Sequence, residues 1–591
     1  MSRQVRGAVR VRGTARGRGR RRGVFWCVVA AGLVLLVAWA GWSMVELRKV
    51  QQAAPEALEA VEGAKREAGS RDWEAVRLHA DALTREAQRA DEAARSLPLR
   101  LAARLPLLGP DVRAVQTLTS ASVTVANDVV QPLAEAADPA SAGADGGRLD
   151  TASLQRLGPP AQAALAASER AHDAVAGIDV SALHEPVRGA VEDASVRLTE
   201  LRTVTTDLAD ATRLVPTMLG VSAPRTYLLA FQNLAEARAT GGIIGSWAEA
   251  EVAGGKLRLV GSGTNNALGH LDARRLTVDD EARVLWGDDL ARSQNFNLTP
   301  HFPRAARLLT QLWGTSGQPA VDGVVSIDPI VLQEVLAATG PLDVPGGPRL
   351  TGQNAAEWLM NGVYAEHGGG TEERDAYLQQ VTAAVFSRLT GDSGAKVFWD
   401  ILQDKQILRH VMVWSTDPEE QRFVERVGIA GALPHPDGAT VGVFTTNADA
   451  SKLDHYLRRE LEVVNDCAAG TTALRLVLAN RAPETVHPYV GTHLAGRTGT
   501  EVTTHRLIVS WYLPPGRGVR SLEADGATQQ FATGHDRGWS VVTATVEVAR
   551  GAQVTLDLHL DGGPTPVTDV LTQPAERRMK ESVTRCPRTG S

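Results

Sequence analysis

Runs of apolar residues change period twice along this chain, and the two changes divide it. Between residues 46 and 220 they recur at helical spacing. Val191, Ala194, Leu198, Leu201, Leu208, Ala211 and Val215 fall three, four and seven apart and form one stripe. Similar stripes cover 50–95, 111–135 and 151–177, with breaks at 97–110, 137–149 and 178–186. Four helices folded back on one another as an antiparallel bundle would bury these stripes. A dimerising coiled coil is the rival reading, but no heptad run is long enough to prefer it.

From 221 the pattern becomes mixed. Tyr227 to Phe231 reads as a short strand, followed by a polar segment holding Glu236 and Arg238. A turn at Thr240, Gly241 and Gly242 then leads to a second strand beginning at 243, and Gly254-Gly255 is a hairpin turn before a strand at 256–260. Helices are predicted at 302–313, where Pro303 sits in the first turn, and from Asp328-Pro329 to 338. Further helices follow at 353–363 and 372–389, with strands at 321–327 and 408–414. This alternation describes an α/β layer domain over 221–465. Residues 472–478, 506–512, 540–548 and 553–560 alternate apolar with polar positions, so 466–591 reads as an antiparallel β-sandwich. The expected fold is multidomain α+β.

At 591 residues the chain is too long for one core, and 43% apolar residues suffice for globular packing. The net charge of −6 hides an asymmetry: residues 1–23 hold nine arginines and no acid, leaving −15 for the rest. An acidic body argues against a nucleic-acid surface. Residues 24–45 are free of charge, long enough to cross a bilayer, and carry Trp26, Trp39 and Trp42 near their ends. The expectation is an uncleaved transmembrane helix in the cell membrane, a cytoplasmic Arg-rich tail at 1–23, and an extracytoplasmic bulk from 46 onward. Of three cysteines, Cys27 falls in the span; Cys467 and Cys586 flank the last domain in an exported segment and are predicted to form a disulfide.

The candidate chemistry centres on 225–247. Arg238, two residues before Thr240 and the paired glycines, is placed to meet an anion, although an ordinary loop with a surface arginine fits the same residues. No histidine or cysteine stands at zinc-ligand spacing, and GSGTNN at 261–266 lacks the lysine of a P-loop.

The stretches FQNLAEARATGGIIGSW (231–247), NFNLTPHFPRAARLL (295–309), VDGVVSIDPIVLQEVLAATGPL (321–342) and SKLDHYL (451–457) resemble an uncharacterised bacterial family of membrane-anchored envelope proteins known as a domain of unknown function. The order of elements in 225–385 also resembles the LytR-CpsA-Psr domain. That resemblance implies a glycopolymer phosphotransferase working from a polyprenyl-pyrophosphate carrier to the cell wall. It places Arg238 at the first family arginine, and Arg374 with Gln379 and Gln380 on the final helix. Substrate contacts would come from Arg238, Thr240, Gly241, Gly242, Arg374 and Gln379. Gly241 and Gly242 stand where that family has an aspartate, and 262–266 lacks its second arginine. Beside the resemblance, a pyrophosphate brings several negative charges, and Asp272, Asp279 or Asp375 could hold a Mg2+ ion, which prefers one or two carboxylates plus phosphate oxygens. The alternative is a non-enzymatic envelope scaffold carrying a degenerate transferase-like domain.

Overall fold

The structure, a computed structural model, describes residues 72–136, 151–367, 371–390, 404–493, 500–563 and 565–586, with scattered positions between 42 and 67 and at 397 and 401. It is a mixed α+β chain of helices and three mixed sheets. No described helix is long and apolar enough to cross a membrane; the expected span at 24–45 lies outside the described residues except for its last four positions. Contacts separate two compact units, one holding most of the first 212 residues and the other 142–155 with 213–591.

The first unit is helical. Helix α1 (Trp73–Ala94) begins at Asp72, whose carboxylate accepts the Ala75 N–H at 3.0 Å. It buries Val76, Ala80, Leu83, Ala87 and Ala90, a stripe dominated by small residues that lets neighbouring backbones approach. Helices α2 (Gly109–Thr124), α3 (Thr151–Ala176) and α4 (Glu185–Met218) meet through Ala114, Ala121, Ala171, Val175, Val191 and Leu198.

The second unit contains the sheets. The first has the order β3-β2-β1-β4-β5, built from β1 (Arg225–Arg238), β2 (Gly241–Ala253), β3 (Lys256–Thr264), β4 (Gly323–Ile327) and β5 (Met412–Ser415). Strands β1 and β4 run parallel, with Tyr227 opposite Gly323 and Phe231 opposite Ile327, and the other pairs are antiparallel. The polar segment expected after Phe231 is not a loop. Strand β1 continues through it to Arg238, with irregular pairing after Phe231 and after Asn233. Its polar side chains are buried and bonded, which a solvent-loop reading of polar residues overlooks. Gly254 and Gly255 make the expected hairpin, both at positive φ (55° and 78°). Helices α5 (Phe302–Thr315), α6 (Pro329–Thr339) and α7 (Thr371–Thr390) follow, the first two with proline in the first turn.

The remaining strands are β6 (Thr440–Asn447), β7 (Leu457–Asp466), β8 (Thr471–Asn480), β9 (His505–Leu513), β10 (Gly518–Ala524), β11 (Ala527–Thr528), β12 (Ala532–Asp536), β13 (Trp539–Val548), β14 (Gln553–Asp561), β15 (Asp569–Thr572) and β16 (Lys580–Val583). They form the sheets β11-β10-β14-β8-β7-β16 and β12-β13-β9-β6-β15. Inward residues of both, among them Val443, Leu461, Leu476, Val509, Trp511 and Leu558, share one apolar core. These sheets differ from the expected all-antiparallel pair. Each has one parallel edge, β15 on β6 and β16 on β7, because the tail reaches one sheet and then the other in the direction of its neighbour. Strands β6 and β7 lie largely upstream of 466 yet pair with the C-terminal strands. Cys467 and Cys586 are joined by a disulfide.

Candidate functional site

The C-terminal end of β1 meets the segment that crosses from β6 to β7. Asp454 in that segment accepts the Ala237 N–H at 3.0 Å and the Asn447 side-chain amide at 2.7 Å, which fixes the crossing against the strand. Between them opens a cavity of about 620 Å³, a size suited to a small-molecule ligand or part of a larger one. Phe231, Ile243, Trp247, Leu332, Leu378 and Val385 supply its apolar wall. Its polar end gathers Glu236, Arg238, Arg374, Asp375, Lys452 and Tyr489.

Glu236 is the centre of that end. Its Oε1 accepts from Arg238 Nη2 at 3.1 Å and its Oε2 accepts from Lys452 Nζ. Burial alone would push the Glu236 carboxyl up, but Lys452 and Arg238 hold it below its ordinary value. Burial likewise works against the Lys452 ammonium, and Glu236 more than offsets it, so Lys452 titrates above the usual lysine range. Arg238, 4% exposed, gives its other N–H groups to backbone carbonyls of Ala237 (3.0 Å), Asn447 (3.3 Å) and Gln294 (3.4 Å). It is held rather than poised.

Arg374, on α7, differs. It is 6% exposed and its Nη2 reaches Asp375 at 3.3 Å, while its buried Nη1 has no hydrogen-bond partner among the described residues. A buried guanidinium N–H without an acceptor is costly and needs an explanation. The guanidinium carbon lies 4.5 Å from the Tyr489 ring centre and 5.6 Å from that of Tyr364. The two tyrosines stack with centroids 5.3 Å apart, and Lys452 sits 5.3 Å over Tyr364. Tyr364 is fixed by Asn233, whose amide donates to its hydroxyl at 2.6 Å.

Of the residues singled out from the sequence, Arg238, Arg374 and Gln379 line the cavity, Gln379 as an exposed residue. Thr240, Gly241 and Gly242 do not; they shape the β1–β2 turn. Asn297 donates to the Thr240 hydroxyl at 3.0 Å and to the Gly242 carbonyl at 2.6 Å. A Cβ on Gly242 would stand 2.0 Å from the Asn233 carbonyl oxygen, and Gly241 has φ +134°. The glycines serve close packing rather than ligand contact. Lys452, Tyr364 and Tyr489 carry no such signal, because residues 126 or more positions from Arg238 in the chain give no local pattern. The one signal was a lysine set among Leu453, His455 and Tyr456 in SKLDHYL instead of in a solvated run.

The donor set does not fit the magnesium ion implied above. Asp272 caps a short turn by accepting the Arg274 N–H at 3.0 Å, and Asp279 is on Arg304 at 2.9 Å. Asp375, the only one of the three in the cavity, is on Arg374. Among the described residues no three His, Cys, Asp or Glu gather to hold a metal.

Residues 222–364 match a family model described as Protein of unknown function (DUF4012). No curated protein and no solved structure matches the chain. The match covers β1 through Tyr364 and stops short of Arg374, Lys452 and Tyr489.

Proposed function

We propose that this chain is a single-pass protein of the cell envelope, with its helices, α/β domain and β-sandwich outside the membrane, and that its cavity binds a polyprenyl-linked glycopolymer by the phosphate of the lipid carrier. The observation that supports this reading is Arg374: a buried guanidinium with an N–H lacking an acceptor among the described residues, in a cavity that is also lined by Phe231, Leu332, Leu378 and Val385. Arginine presents a planar fork that suits phosphate oxygens, and its full worth appears where water is excluded. An apolar wall beside it suits the first units of a prenyl chain.

Binding is favoured over phosphotransfer. Glu236 and Asp375, the carboxylates nearest the cations, are both engaged by them, so neither is placed as a general base. The scaffold alternative keeps the same cavity but gives it no lipid. Fluorescence titration of the full-length chain in detergent with prenyl phosphates of any head group separates the two readings. We expect saturable binding, weakened about tenfold or more in Arg374→Gln, the range for a hydrogen bond to a charged group. No binding of any prenyl phosphate would leave the scaffold reading.

A further inference from the structure

The charges around the cavity say more about the head group than that it is anionic. Three cations are buried there: Arg238, Lys452 and Arg374. Two carboxylates face them. Glu236 is shared between Arg238 and Lys452, and Asp375 is on Arg374. Asp328, also in the wall, is turned to other partners. Its Oδ1 accepts the Ile330 N–H at 2.9 Å at the start of α6, and its Oδ2 is 2.6 Å from His410 Nδ1. Arg292 at the rim is exposed and lies 3.8 Å from Asp289. Among the described residues lining the cavity, one positive charge is therefore left without a carboxylate, and the open N–H belongs to Arg374; Asp454, which is not in the lining, lies 3.2 Å from His505 Nε2.

We infer that the cavity is built for a head group of one negative charge, a lipid phosphodiester in which a single phosphate joins a prenyl chain to a sugar or other alcohol, in preference to a pyrophosphate. This inference rests on the lipid-binding reading above. A buried site tolerates little uncompensated charge, so a second negative charge would have to enter without a counterion. The cations approach from separate elements, Arg374 from α7 and Lys452 from the β6–β7 crossing, over the Tyr364–Tyr489 stack. That arrangement matches a tetrahedral phosphate, whose free oxygens diverge, better than a planar carboxylate.

The test is a titration of the full-length chain with geranylgeranyl methyl phosphate, geranylgeranyl diphosphate and oleate at pH 7. The phosphodiester is expected to bind about tenfold more tightly than either competitor, on the scale of one charged hydrogen bond. Glu236→Gln removes a negative charge and leaves two cations uncompensated, so it should shift the preference toward the diphosphate; the wild-type ranking decides the matter even where that variant folds poorly. A wild-type protein that prefers the diphosphate overturns the single-charge inference, one that takes oleate equally well overturns the choice of phosphate over carboxylate, and either result leaves lipid binding standing. A protein that binds none of the prenyl ligands removes both.

Discussion

At the scale of single residues, the cavity separates two arginines that look alike in sequence. Arg238 donates to three carbonyls and a carboxylate and keeps Glu236 in place, whereas one N–H of Arg374 has no acceptor among the described residues. The same distinction between held and open groups applies to His301. It is buried at the start of α5, and its Nδ1 accepts the Leu433 N–H at 3.1 Å, which requires a neutral ring. Burial, reinforced by Arg537, Arg304 and Arg307, pushes its pKa down to about 2. The unfolded chain takes up this proton near pH 6.5, so the folded state is penalised as pH falls from there toward 2, and no penalty remains above 6.5. We expect His301→Asn, whose carbonyl can still accept from Leu433, to flatten the acid side of the stability curve. The difference should be on the order of 1 kcal/mol per pH unit below 6.5, read from denaturant unfolding between pH 6.5 and 4. Parallel curves for the two proteins would show that His301 does not carry the effect.

At the scale of elements, α5 is tied to the C-terminal sheets by one buried cation. Arg304 Nη2 reaches Asp536 in β12 at 2.7 Å and Asp279 at 2.9 Å, and Nη1 donates to Thr299 at 2.8 Å. Asp536 also accepts from the Tyr512 hydroxyl at 3.1 Å and is fully buried. Removing the cation leaves that carboxylate unpaired, so Arg304→Met should cost about 3–5 kcal/mol, and adding Asp536→Asn should return part of the loss. Denaturant midpoints at unchanged slope measure both. Equal losses in the single and double variants would mean that the packing of the arginine stem, not its charge, holds β12.

This tie also marks where the sequence stops being legible. Helices α5 and α6, the Gly254-Gly255 hairpin and strands β8, β9, β13 and β14 follow from periodicity and turn chemistry, both local signals. The continuation of β1 through Gln232, Asn233, Glu236 and Arg238 does not, because polar residues read as a loop until their partners are known, and those partners include Ser326, Tyr364 and Lys452. For the same reason Arg238 and Arg374 could be named singly, but the Lys452–Glu236 pair that Arg238 joins could not.

At the scale of the molecule, the tail beyond β14 supports the cavity indirectly. Gln573 exchanges hydrogen bonds with the Thr445 backbone, at 3.1 Å from its N–H and 2.6 Å to its carbonyl, and Glu576 lies 2.8 Å from His455. Thr445 and His455 bracket the crossing segment that carries Lys452 to the cavity and Asp454 to the end of β1. The tail is then anchored by β16 on β7 and by the disulfide from Cys467 to Cys586, which closes 119 residues of chain. A cross-link of that span restricts the unfolded chain most, and its loss typically costs 2–5 kcal/mol. Cys586→Ala should therefore lower the thermal midpoint, and the wild type in reductant should fall to the same value, while reductant leaves the variant unchanged. Amide exchange adds the structural consequence: protection should drop in 569–583 and, through Gln573 and Glu576, in 448–456, with the α1 to α4 helices unaffected. Faster exchange confined to the tail would break the chain of contacts at Gln573, and the crossing segment would then owe its position to Asp454 and β1 alone.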